Sequence, residues 1–74
     1  MKLREVLAKN LRRVRHERGL SQEALADEAG IDRTYVSALE RSVYAATVDM
    51  IEKLAGVLDT EPADLLTNRK RPRA

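Results

Sequence analysis

The chain has 74 residues, which makes one domain near the lower size limit for an unassisted core, so a second subunit would help to stabilise it. The absence of cysteine and the single histidine exclude disulfides, a thiolate zinc site and a histidine metal centre; no cofactor is expected, and packing alone must hold the fold. The net charge of +2 hides an uneven distribution: residues 1–18 carry seven Lys or Arg against two Glu, residues 19–68 carry three against ten acidic residues, and residues 69–73 add four basic ones.

The opening Met-Lys-Leu-Arg-Glu lacks the apolar run of a signal peptide, and no stretch approaches transmembrane length; no membrane partner and a bacterial-type cytoplasmic location are expected. Between Lys2 and Arg18, Leu3, Leu7, Leu11 and Val14 recur at steps of three and four, which predicts a long amphipathic helix with a strongly basic opposite face. Gly19 ends it, with Arg15 and Arg18 in the last turn, where cations suit the helix dipole. Ser21 is a good N-cap for a second helix of about eight residues, with Ala24, Leu25 and Ala29 turned inward and Glu23 and Glu28 solvated. Gly30 stands where that pattern stops and can take the left-handed conformation that closes a helix. Ile31 plugs the angle that follows, and Asp32 caps a third helix burying Val36 and Leu39.

Residues 42–46 make a connection of apolar character, Val43-Tyr44-Ala45 standing where loops are usually polar. Thr47 caps a fourth helix to about Leu58, expected to bury Val48, Ile51, Leu54, Ala55 and Leu58. Asp59 or Thr60 begins the next turn, and Pro62 suits the first turn of a short fifth helix ending near Leu66. Residues 1–66 thus read as one all-α, five-helix domain. Residues 67–74, polar, basic and proline-containing, read as a tail that is disordered in the free protein.

The third helix is expected to present Arg33, Thr34, Ser37 and Ala38 away from the core, a face with too few charges to be explained by solubility alone. Arg33 carries a forked donor able to grip O6 and N7 of guanine together. Two short helices hinged at Gly30 form the pattern of a helix-turn-helix. Because the middle of the chain is acidic, phosphate contacts fall to the first helix, Arg33, Arg41 and the tail, with backbone amides helping.

The run Asn10-Leu-Arg-Arg-Val-Arg-His-Glu-Arg-Gly-Leu-Ser-Gln-Glu-Ala-Leu-Ala, then Ala29-Gly-Ile-Asp-Arg-Thr-Tyr-Val-Ser-Ala-Leu-Glu-Arg, closely resembles the phage-repressor and Cro type of helix-turn-helix, also called the XRE family. The likeness continues through Ile51-Glu-Lys-Leu-Ala-Gly-Val-Leu and Pro62-Ala-Asp-Leu-Leu. It implies a compact five-helix lambda-repressor-like DNA-binding domain, usually dimeric, that regulates transcription. It also implies that Arg33 and Thr34 read bases, with Ser37 and Ala38 facing the same groove one turn later. Gln22, at the start of the second helix, would bond a phosphate and brace Arg33. Arg12, Tyr35 and Arg41 are further candidates for phosphate contact. Arg15 would pair with Glu40 as a partly buried structural bridge, which removes it from the DNA contacts.

The chain departs from the family pattern in three places. Ser42 replaces the usual glycine after Glu-Arg, so the third helix must be capped differently or run on. The apolar Val43-Tyr44-Ala45 replaces a polar, often basic loop, and Ala46 stands where proline is common. Ala38 is small where many relatives carry a longer polar reader, so it offers only a methyl contact to thymine or leaves room for a neighbour.

Some residues carry two readings. Tyr35 packs at the edge of the core, reaches a phosphate with its hydroxyl, or does both. Val43 and Tyr44 either cover the end of the core or form a dimer contact, and Leu65 and Leu66 share that ambiguity. The tail arginines either aid solubility or form a flexible arm that follows phosphates or enters a minor groove. His16 lacks the neighbours of a general base, and no phosphate-binding glycine loop is present, so an enzyme is not expected. Two functions fit: a dimeric regulator on double-stranded DNA with a near-palindromic operator, or a protein-interaction module, such as an antitoxin or an antagonist of another regulator, with secondary DNA binding.

Overall fold

A computed structural model describes residues 2–68. Five helices follow one another: α1 (Leu3–Glu17), α2 (Gln22–Ala29), α3 (Arg33–Glu40), α4 (Val48–Leu58) and α5 (Pro62–Leu66), with no strand among the described residues. Three starts are side-chain capped. Ser21 Oγ accepts from the Ala24 N–H at 2.9 Å, Asp32 Oδ1 from the Thr34 N–H at 3.0 Å, and Thr47 Oγ1 from the Met50 N–H at 3.1 Å.

The first four helices end in one hydrogen-bond pattern, in which the chain turns through a left-handed residue and two N–H groups return to the last carbonyls. Gly19 and Gly30, both at φ 69°, occupy that position after α1 and α2. After α3 it is Ser42, at φ 61°, with Ser42 N–H bonded to the Leu39 carbonyl at 3.2 Å and Val43 N–H to that of Ala38 at 2.9 Å. After α4 it is Asp59, at φ 54°. The third helix is therefore closed in the ordinary way by a residue that carries a Cβ, and it does not run on.

Leu7, Leu11 and Val14 of α1, Leu25 and Ala29 of α2, Val36 and Leu39 of α3, Ile51, Leu54 and Leu58 of α4, and Leu65 of α5 form one core. Apolar spacing predicted most of it, with exceptions. Leu3 is 58% exposed and Val48 is 81% exposed. Each is the first residue of its helix, where an apolar side chain overhangs the end of the packed layer instead of entering it. On α2 the inward positions are Leu25, Ala26 and Ala29, with Ala24 half-buried.

The polar side chains of α1 do much of the joining. Asn10 is buried, and its Nδ2 donates to the carbonyls of Leu65 and Thr67, both at 2.9 Å, and of Asp64 at 3.3 Å. Arg18 donates to the carbonyls of Leu58 at 2.6 Å and Asp59 at 3.0 Å. Arg12 donates to the carbonyl of Glu40 at 2.9 Å. The ends of α5, α4 and α3, where carbonyls lack intrahelical partners and the dipole is negative, are thus each met by a donor from α1 or from Arg18, its C-cap. Thr67, assigned above to the tail, is tied to the domain in this way, while residues 69–74 lie outside the described residues.

Candidate nucleic-acid interface

Capping by Asp32 starts α3 with Arg33 and Thr34 in its first turn, and both are exposed. The Thr34 backbone N–H, then its side chain, hydrogen-bonds the Asp32 carboxyl and holds it below the usual carboxylate range, with the charge of Arg33 acting in the same sense. A helix advances about 100° per residue, so Arg33, Ser37, Arg41 and Thr34 share one outward arc of about 100°. Arg41 is exposed and its Nε lies 3.4 Å from Ser37 Oγ, one turn back. The result is a narrow stripe of two guanidinium groups and two hydroxyls.

Ala38 does not belong to that stripe. It is 4% exposed. At that burial its methyl group is covered by protein, and the expected contact with a thymine methyl is withdrawn. The ring of Tyr35, half-buried against the core, stands 6.2 Å from that of Tyr44, tilted by 54°. Tyr35 therefore does pack at the core edge.

Gln22 opens α2 and lies close to the end of α3. Its Nε2 donates to Glu40 Oε1 at 3.1 Å, so the brace expected on Arg33 goes to Glu40 instead. Glu40 also accepts a two-pronged bridge from Arg15, Nε to Oε2 at 2.6 Å and Nη2 to Oε1 at 2.9 Å, and Arg15 Nη1 donates to the Leu20 carbonyl at 2.9 Å. Both partners are buried. The hydrogen bonding of Arg15 to the Glu40 carboxylate raises the Arg15 guanidinium above its ordinary value, outweighing burial, and the charge of Glu40 acts in the same sense. No buried side-chain polar atom among the described residues lacks a partner.

On the neighbouring side, Val43 is 51% and Tyr44 56% exposed. A largely apolar depression of about 280 Å³ is lined by Lys2, Leu3, Arg4, Leu7, Ala45, Ala46, Ile51 and Leu66. Leu66 is half-buried there, whereas Leu65 is fully enclosed at 0% exposure. Leu65 is a core residue, and its proposed place in an intermolecular contact is withdrawn: the short α5 turns it against α1 and α4.

Sequence reasoning missed Asn10, Arg18 and the Gln22–Glu40 link. Asn10 left a signal, since it stands three residues after Leu7 and four before Val14, a polar residue in an apolar stripe. Arg18 and Gln22 left none, because their acceptors are distant in sequence.

The helix-turn-helix family matches residues 11–65 of the chain. The chain belongs to that family, in its XRE type. The family is one of DNA-binding transcriptional regulators, not enzymes. A hypothetical transcription factor of Neisseria meningitidis is 48% identical over 64 residues, 86% of this chain and 60% of that protein, so the chain spans well under the full length of this relative. The crystal structure of the restriction-modification controller protein C.AhdI from Aeromonas hydrophila is similar at a TM-score of 0.81 and 42% identity, covering 84% of this chain and 94% of that one. A crystal structure of SinR, a master regulator for biofilm formation, in complex with DNA is similar at a TM-score of 0.79 and 31% identity, covering 82% and 98%. No helix among the described residues is long and apolar enough to cross a membrane.

Proposed function

We propose that the chain acts in the cytoplasm as a homodimeric transcriptional regulator, setting two copies of α3 into successive major grooves of a near-palindromic operator, about 34 Å apart. The observation that carries this is the stripe of Arg33, Thr34, Ser37 and Arg41, outward on a capped helix whose other sides are buried. Arg33 and Thr34 read base edges, Ser37 supports them from the next turn, and Gln22, Arg12, Arg41 and the Tyr35 hydroxyl contact phosphates. The second subunit docks on Val43 and Tyr44, extended by Leu66, Leu3 and Val48. Likeness to a controller protein and to a regulator solved on DNA supports the same reading.

Selection of bound duplexes from a random pool tests it. Enrichment of a two-fold symmetric site with half-sites one helical turn apart is the expected result; a pool that enriches nothing refutes it. Tyr44→Asp should convert dimer to monomer in sedimentation, and an intact dimer would remove the loop from the interface.

The apolar exposure of Val43 and Tyr44 also favours a second reading, in which that loop binds another protein and DNA binding is secondary. A chain that stays monomeric until a partner is added would favour it.

A further inference from the structure

The buried ion pair between α1 and α3 does not end in the core. Glu40 Oε1 accepts from Arg15 Nη2 at 2.9 Å and also from Gln22 Nε2 at 3.1 Å. Glu40 is 4% and Arg15 7% exposed, and two hydrogen bonds between them fix the carboxylate in place. The carbonyl of the same glutamate takes the Arg12 guanidinium at 2.9 Å. Gln22, by contrast, is half-buried and follows the N-cap Ser21, at a helix start where backbone N–H groups and the dipole attract anions. One rigid carboxylate therefore reaches from the core to a side chain at the surface.

The chemistry of that contact is directional. A carboxylate only accepts, so it engages the amide of Gln22 through one N–H and leaves the second N–H for another acceptor. Glutamine has three side-chain torsions, and ordering it on binding costs rotamer freedom that an anchor set in advance reduces. An unpaired carboxylate behind a phosphate contact would repel the anion; Arg15 neutralises it, which makes the arrangement compatible with DNA. We propose that Glu40, held by Arg15, is a positioning residue for DNA binding: it pre-orders Gln22 so that the free amide N–H meets a backbone phosphate. This rests on the DNA-binding reading given above and deepens it, since the pair otherwise serves only the fold.

Two measurements test it. Gln22 is the single glutamine of the chain, so its side-chain amide can be followed by nitrogen relaxation in the free wild-type protein. The amide should be rigid, with an order parameter above about 0.6; a lower value, that of a flexible side chain, overturns the proposal. The second is a double-mutant cycle on a duplex recovered by the selection. Gln22→Ala should lower affinity about threefold to tenfold in the wild-type chain and add nothing in Arg15→Met/Glu40→Leu, an apolar replacement of the pair that already shows that loss. Equal cost of Gln22→Ala in both backgrounds overturns the positioning role. If the double variant fails to fold, the dynamics of the Gln22 amide decide alone. A pool that enriches no duplex refutes the DNA-binding reading and this proposal together, whereas a rigid amide with additive costs refutes the positioning alone.

Discussion

Helices α1 and α3 both carry arginines, and they use them in opposite ways. The segment holding α1 is the most basic described part of the chain, yet Arg12, Arg15 and Arg18 are turned to carbonyls or a carboxylate of other helices and Arg13 pairs with Glu17 at 3.1 Å, while Lys2, Arg4 and Lys9 are exposed. Helix α3 has two outward arginines near it, Arg33 and Arg41, in an otherwise acidic stretch. A count of charges points to α1 as the surface for phosphate, but three of the seven cations in that segment, Arg12, Arg15 and Arg18, are bonded to other helices. On α3 the fewer charges are exposed and aligned. The comparison predicts that changes at α1 and its partners lower stability first, whereas changes on the outer arc of α3 lower DNA binding and leave stability alone.

The largest effect is expected at the join between them. Glu40→Ala leaves Arg15 buried without its partner and should cost about 3–5 kcal/mol of stability. Chemical denaturation measures it, and a loss under about 1 kcal/mol would mean that water replaces the carboxylate at little cost. Next is Asn10→Ala, which removes the donor that meets three carbonyls around the end of α5. A loss of about 2–3 kcal/mol is expected, with affinity of the folded fraction for DNA unchanged. A variant that folds as well as wild type but binds weakly would break the division of labour between α1 and α3.

Much of this was legible in the sequence. The stops at Gly19 and Gly30, the caps at Ser21, Asp32 and Thr47, and the leucine spacing located five helices because each signal is local and has a single physical reading. Residues whose neighbours are set by tertiary packing were read less well. Ala38 is as small as a residue on either face can be, so its side of α3 was open until tertiary packing buried it. Leu65 and Leu66 are adjacent and equally apolar; only the direction of a five-residue helix decides which one the core takes. Leu3 and Val48 fit the apolar spacing and still miss the core, because periodicity says nothing of where the packed layer ends.

Arg33→Ala tests the other side of the comparison. It should leave the denaturation midpoint unchanged, since the side chain is exposed and has no role in the core, and cost about 1–3 kcal/mol on the selected duplex while relaxing sequence preference. Equal losses on selected and random DNA would reassign Arg33 to phosphate, making it the kind of general cation that the basic first helix was expected to supply.

The smallest effect concerns how the two helices stop. Both end in the same hydrogen-bond pattern, α1 through Gly19 at φ 69° and α3 through Ser42 at φ 61°. The glycine takes that conformation freely, and the serine meets the steric penalty of a Cβ in the left-handed region. Ser42→Gly relieves that penalty but gives the unfolded chain more freedom, so the net gain in stability should be about 0.5–1 kcal/mol, read as a higher denaturation midpoint. Gly19→Ser is the mirror experiment. A Cβ there would meet no heavy atom within 4 Å, so the loss carries no steric clash with neighbours, only backbone strain set against the reduced freedom of the unfolded chain, and should match the gain at Ser42. If Ser42→Gly brings no gain, the strain at Ser42 is already offset by its surroundings, and the two closures are equivalent in energy despite their different residues.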